Sequence, residues 1–236
     1  MCNQPVMHLD QLGVLEYRIR RLEIVLDIIR DAEACKSVYA KASLTRGLME
    51  RLLEEDIAEA SLPSLVFLVA RHHNQDLRFL RHAEKDPSDP EKLKAIQHNI
   101  AETTKLKEQF LTTAARLAEE LPADSRARRV YEALTISDSV ENRAKSVYEA
   151  SVFSAFYADY SGLSQFVHGG NRETLVVTRQ RGDLAPILQS VADQTIAGVK
   201  RHAETRLAAL RNMPQAAQES LEIAPISDKS TPAPSA

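Results

Sequence analysis

The chain has 236 residues, a net charge of −3, 44 % apolar and 27 % charged residues, 7 glycines and 2 cysteines. That balance fits one globular domain with a tail. It excludes a disulfide scaffold, a membrane-spanning helix (no run of about 18 apolar residues occurs) and the basic stripe of a dedicated nucleic-acid binder.

The first stretch, "MCNQPVMHLDQ", has neither a basic n-region nor an apolar h-region, so no signal peptide is expected. Cys2 and Cys35 form no C-x-x-C pair, which fits a reducing, cytoplasmic location. Leu9, Leu12, Leu15, Ile19, Leu22, Leu26 and Ile29 then repeat at three- and four-residue steps, predicting an amphipathic helix over 8–34. This helix serves equally well as a core element or as a dimer interface. Leu44, Leu48 and Leu52, with Met49 and Leu53, predict a second helix over 37–60. Pro63 suits the first turn of a third, where its missing N–H costs nothing, and that helix ends near Lys85.

"DPSDPEK" is a break, and Ser88 or Asp89 caps a fourth helix that Pro122 stops. Asp124 or Ser125 caps a short fifth helix to about Leu134. "TISDSVENRAK" restarts helix and is expected to run on through 148–167. A loop follows, with a short strand at 174–178. A last helix starts at Asp183, carries Pro186 early and ends near Asn212. Beyond Met213 the chain turns to Pro, Ala, Ser, Gln and Glu, too little apolar area to offset its ordering entropy. The expectation is an all-α fold, a single bundle of six to seven helices over 8–212 with a disordered tail over 213–236.

Familiar catalytic signatures are missing. There is no Walker A glycine–lysine pair and no G-x-S-x-G. No histidine has Glu three residues before it, as a carboxylate-bridged di-metal bundle would need. His72 and Asp76 share a helix face but have no second half-site, so neither metal nor cofactor is expected.

Two stretches carry the remaining polar pattern. Leading into and through "YSGLSQFVHGG", Tyr157, Ser161, Ser164 and His168 fall on one helical seam. It runs beside a core stripe of Phe153, Phe156, Tyr160, Leu163 and Val167. His168 near a helix end favours the dipole, and Gly169 can take the left-handed cap. The same histidine can serve as an acid or base near neutral pH. In "LTRGLMERLLEED", Arg46 and Glu50 are four apart in the weaker order, and as a surface pair would contribute only about 0.3–0.5 kcal/mol. Glu50 is also four residues from Glu54, a like-charge spacing. A helix tuned only for its own stability would not choose this arrangement, which points to contacts between helices.

Leu44, Arg46 and Glu50 on an early helix, with Tyr160, Leu163, Ser164, Val167 and His168 at a later helix end, resemble a group of bacterial all-α domains similar to the HEPN superfamily. The likeness in helix order covers about residues 8–170. It implies a component of defence or toxin–antitoxin systems acting on RNA, a homodimer, and RNA, a nucleotide or a protein as partner. Under that reading His168, Arg46 and Glu50 are catalytic: His168 is the acid or base, Arg46 holds the phosphate and Glu50 orients Arg46. Tyr160, Ser161 and Ser164 bind the substrate. HEPN nucleases carry R-x(4–6)-H on one helix, and no Arg here lies five to seven residues before a His. The alternative is a non-catalytic helical scaffold or partner-binding module.

Overall fold

The computed structural model describes residues 9–85, 89–137, 139–167 and 184–214. They form eight helices: α1 (Leu9–Ala34), α2 (Val38–Ala60), α3 (Leu62–Glu84), α4 (Pro90–Glu119), α5 (Arg126–Ile136), α6 (Val140–Val147), α7 (Ala150–Val167) and α8 (Leu184–Arg211). The expected strand at 174–178, His168 with its two glycines, and the tail from 215 lie outside the described residues.

Local chemistry sets the helix starts. The side chains of Ser37, Asp89, Ser125 and Ser139 each accept a backbone N–H in the first turn of the helix they precede. Ser61 does this for α3, whose first turn also holds Pro63. Two boundaries differ from the sequence expectation. Gly13 has φ 68°, a left-handed conformation that interrupts the helix near the start of α1. The helix expected to run from about 140 to 167 is broken at Tyr148, which is extended at φ −94°, ψ 143°. The break turns seven expected helices into eight.

α2 packs against α1, α3, α5, α6, α7 and α8, and the core is arranged around it. One apolar cluster joins Leu22, Val25 and Ile29 of α1 to Leu48 of α2, Leu163 of α7 and Ile196 of α8. A second packs the α3–α4 hairpin, with Phe110 at its centre, against Val14 and Tyr17 of α1. A third sets Leu53 and Ile57 of α2 against Leu68, Val130, Leu134 and Ala144 of α3, α5 and α6. The buried seam of α1 is Val14, Tyr17, Leu22, Val25, Ile29 and Ala32, while Leu15, Ile19 and Leu26 are only half-buried. It departs from the leucine stripe because Leu22, Val25 and Ile29 pack with residues of α2 and α8, whereas Val14 and Tyr17 pack with residues of α3 and α4. The first helix is therefore a core element of the chain itself.

Three consecutive carboxylates stand in the buried part of α2. Glu55 meets Arg18 of α1 at 2.5 and 2.7 Å, and both residues are almost wholly buried. Glu54 takes Arg21 of α1 at 2.7 Å, Arg143 of α6 at 3.4 Å and His72 of α3 at 3.4 Å. Burial alone would raise the Glu54 carboxyl. The His72 hydrogen bond and the charges of Arg21, His72 and Arg143 outweigh it and hold the group at about 2. Burial prevails at Glu55, pushing its carboxyl up against Arg18 and Arg21.

Replacing Arg18 by Met should cost about 3–5 kcal/mol, because it strands a buried carboxylate. The double variant Arg18→Met/Glu55→Leu should recover most of that loss. Urea unfolding of the three proteins checks this, and equal losses in the single and double variants would count against a stranded charge.

Candidate functional site

Along α2, Arg46, Glu50 and Glu54 are spaced by one turn and form one polar stripe. Its upper end meets α7. Arg46 Nε and Nη2 donate to the Tyr160 hydroxyl at 3.2 and 3.0 Å, and that hydroxyl donates to Glu50 Oε1 at 2.7 Å. Arg46 also pairs with Glu50 at 3.1 Å, and its guanidinium lies 5.3 Å from the Tyr160 ring centroid. The arrangement spans 110 residues of sequence between Glu50 and Tyr160. Tyr160 is 8 % exposed, whereas the side chains of Arg46 and Glu50 are 21 % and 32 % exposed. Thus the tyrosine is sealed and the two charges reach the surface. Burial and the Glu50 bond push the Tyr160 hydroxyl above its ordinary value, with Arg46 opposing them.

Other members of the expected site divide. Ser164 is one turn after Tyr160, and its hydroxyl is buried with no hydrogen-bond partner. On the same helix Ser154 donates to Ala150 O of the preceding turn at 2.8 Å. Ser161 is half-buried. Tyr157 of the same seam turns to α6, where its hydroxyl donates to Glu141 at 3.4 Å. His168 lies outside the described residues. His72 faces Glu54 at 3.4 Å, and it is His73 that approaches Asp76, at 3.8 Å. Among the described residues no group of three or more His, Cys, Asp or Glu side chains could hold a metal ion.

A second constellation escaped the sequence reading. Asp56 is buried, and its Oδ2 accepts from Tyr148 at 2.6 Å. Its Oδ1 meets His202 Nε2 at 2.9 Å and Arg206 at 3.5 Å. Arg206 also binds Glu59. These groups stand beside an open pocket of about 390 Å³ between α2, α7 and α8. Its apolar walls include Met49, Leu52, Phe156, Val191 and Val199. The pocket residues of α2 (49, 52 and 56) occupy a different face from Arg46 and Glu50. Burial and the Asp56 charge drive the Tyr148 hydroxyl far above its ordinary value. The Asp56 hydrogen bond raises His202 against a burial that would lower it, and the charges of Asp56 and Glu55 add to the rise.

No family model matches the chain, and no curated protein or solved structure shows significant similarity to it. No helix among the described residues is long and apolar enough to cross a membrane.

His202 makes stability depend on pH with a definite sign. Its folded value lies above the unfolded 6.5. Its contribution is therefore complete below pH 6.5 and lost as pH rises through the folded value. Urea midpoints measured from about pH 5.5 to 9 should fall more in the wild type than in His202→Asn. Parallel declines in the two proteins would show that the Asp56 bond does not set the titration.

Proposed function

We propose that the chain is a HEPN-like helical protein that acts on RNA at the junction of α2 and α7. The observation that carries this reading is the meeting of Arg46 and Glu50 with Tyr160, which joins the two halves of the family-like pattern in space. Arg46 is oriented by an acid and a tyrosine while its side chain remains partly exposed, which suits a guanidinium holding a phosphate. His168 follows the last residue of α7 in the chain and supplies the acid or base.

In the reaction, His168 takes the proton of an RNA 2′-hydroxyl, whose oxygen attacks the adjacent phosphorus. The bond from phosphorus to the 5′ oxygen breaks, and the same proton passes to that oxygen. Arg46 stabilises the charge on the non-bridging oxygens. The products are a 2′,3′-cyclic phosphate and a 5′-hydroxyl.

A second reading has its own support. The Tyr160 hydroxyl both accepts from Arg46 and donates to Glu50, as a network that only fixes helix register would require. Two variants separate the readings. On the RNA reading, Arg46→Ala weakens binding of a labelled single-stranded RNA by about tenfold or more. His168→Ala abolishes cleavage and leaves binding intact. Both variants should melt close to the wild type. A wild type that neither binds nor cuts RNA, or cleavage that survives His168→Ala, sinks the RNA reading. A large fall in melting temperature for Arg46→Ala with no RNA activity to lose supports the scaffold.

A further inference from the structure

We propose that the pocket between α2, α7 and α8 is a separate binding site for a small organic cation, an ammonium carried on an apolar or aromatic body. Three observations lead to that ligand class.

First, the volume of about 390 Å³ lies in the range of small-molecule sites, and the walls are mostly aliphatic and aromatic. Val152, at the same pocket, is 51 % exposed, so apolar surface is left open there for an occupant to cover.

Second, the charges at the polar end are already balanced within the protein. Asp56 spends both oxygens on Tyr148, His202 and Arg206, and Arg206 also holds Glu59. That group therefore offers no surplus positive charge to an anion. Asp159 of α7 is different: it lines the pocket and makes no ion pair with any described residue. The lining contains no lysine or arginine. An apolar ligand covering Asp159 would strip water from an unpaired carboxylate, which is costly, and an anion would add repulsion. An ammonium group removes both penalties.

Third, the rings of Phe156 and Tyr148 lie 5.3 Å apart, and both line the pocket. Aromatic rings at a pocket wall can attract a cation that is being desolvated beside them. The site is separate from the Arg46–Tyr160 cluster and does not depend on the RNA reading.

Calorimetric titration of the full chain with 2-phenylethylammonium, 2-phenylethanol and phenylacetate tests the assignment. The ammonium should bind about tenfold or more tighter than the alcohol, and phenylacetate more weakly still. Asp159→Asn, a change at an exposed position, should remove the preference for the ammonium. Gly198→Leu should abolish binding, because Gly198 lines the pocket and a Cβ built there meets nothing within 4 Å, so the side chain can occupy the cavity. Leucine also favours helix over glycine, so this variant should melt no lower than the wild type. Arg46→Ala should bind the ammonium normally. The proposal is overturned if the ammonium does not bind at millimolar concentration, if the alcohol matches it, or if Asp159→Asn keeps the preference.

Discussion

Taking three adjacent carboxylates out of water is the constraint around which this bundle is built. Glu54, Glu55 and Asp56 follow one another on α2, and successive helical residues point about 100° apart. No single solvated face can serve all three, so each needs a partner from a different direction. α1 answers Glu55 with Arg18 and Glu54 with Arg21. α3 and α6 add His72 and Arg143 at Glu54. Tyr148, just before α7, and His202 and Arg206 of α8 close on Asp56. Apolar residues could give comparable stability. What the acids add is selectivity, since an arrangement missing one of those helices leaves a buried charge without its partner. The pairs also fix direction. Residues 18 and 21 meet 55 and 54, so α1 runs antiparallel to α2, whereas Lys41–Asp193 and Asp56–His202 set α8 parallel to it.

α2 thereby presents two kinds of surface to the same neighbour. Towards Tyr160 it offers Arg46 and Glu50, a charged pair with one edge in water. Towards the other side of α7 it offers Met49, Leu52 and Asp56, which wall the pocket together with α8. Phe156 stands between the two, stacked on Tyr160 with centroids 6.0 Å apart while lining the pocket. The side chains of one helix thus separate a polar cluster from an apolar cavity.

Much of the helix order was legible because its signals are local. Ser37, Asp89 and Ser125 are capping residues where caps are needed, and Pro63, Pro90 and Pro186 all fall in or near first turns. The break at Tyr148 was not legible. Nothing in "KSVYEAS" stops a helix, and the tyrosine hydroxyl bonds to an aspartate 92 residues away. The Tyr148–Asp56–His202 group was hidden for the same reason, with 146 residues between its acid and its imidazole. A signal did exist: three acids directly after "RLL" and just before "IAEA", inside a helix with leucines on several faces, cannot all be solvated. Arg46 and Glu50 stood out because their order is poor for a lone helix, and Tyr160 because a family pattern grouped it with them. The geometry around His168 belongs to residues beyond those described.

The antiparallel pairing of α1 with α8 has a consequence for how the chain comes into being. Lys200 meets Glu33 across 167 residues and Arg211 meets Glu23 across 188. The apolar face that α1 shares with Ile196, Val199 and Leu207 cannot be covered until α8 has left the ribosome. At synthesis rates of about 5–20 residues per second, α1 and α2 wait many seconds for their last neighbour. During that interval the nascent chain presents Leu22, Val25 and Ile29 to whatever holds exposed apolar helices in solution. Closure of this bundle thus waits for the synthesis of α8, a timing set by the order of its helices along the chain.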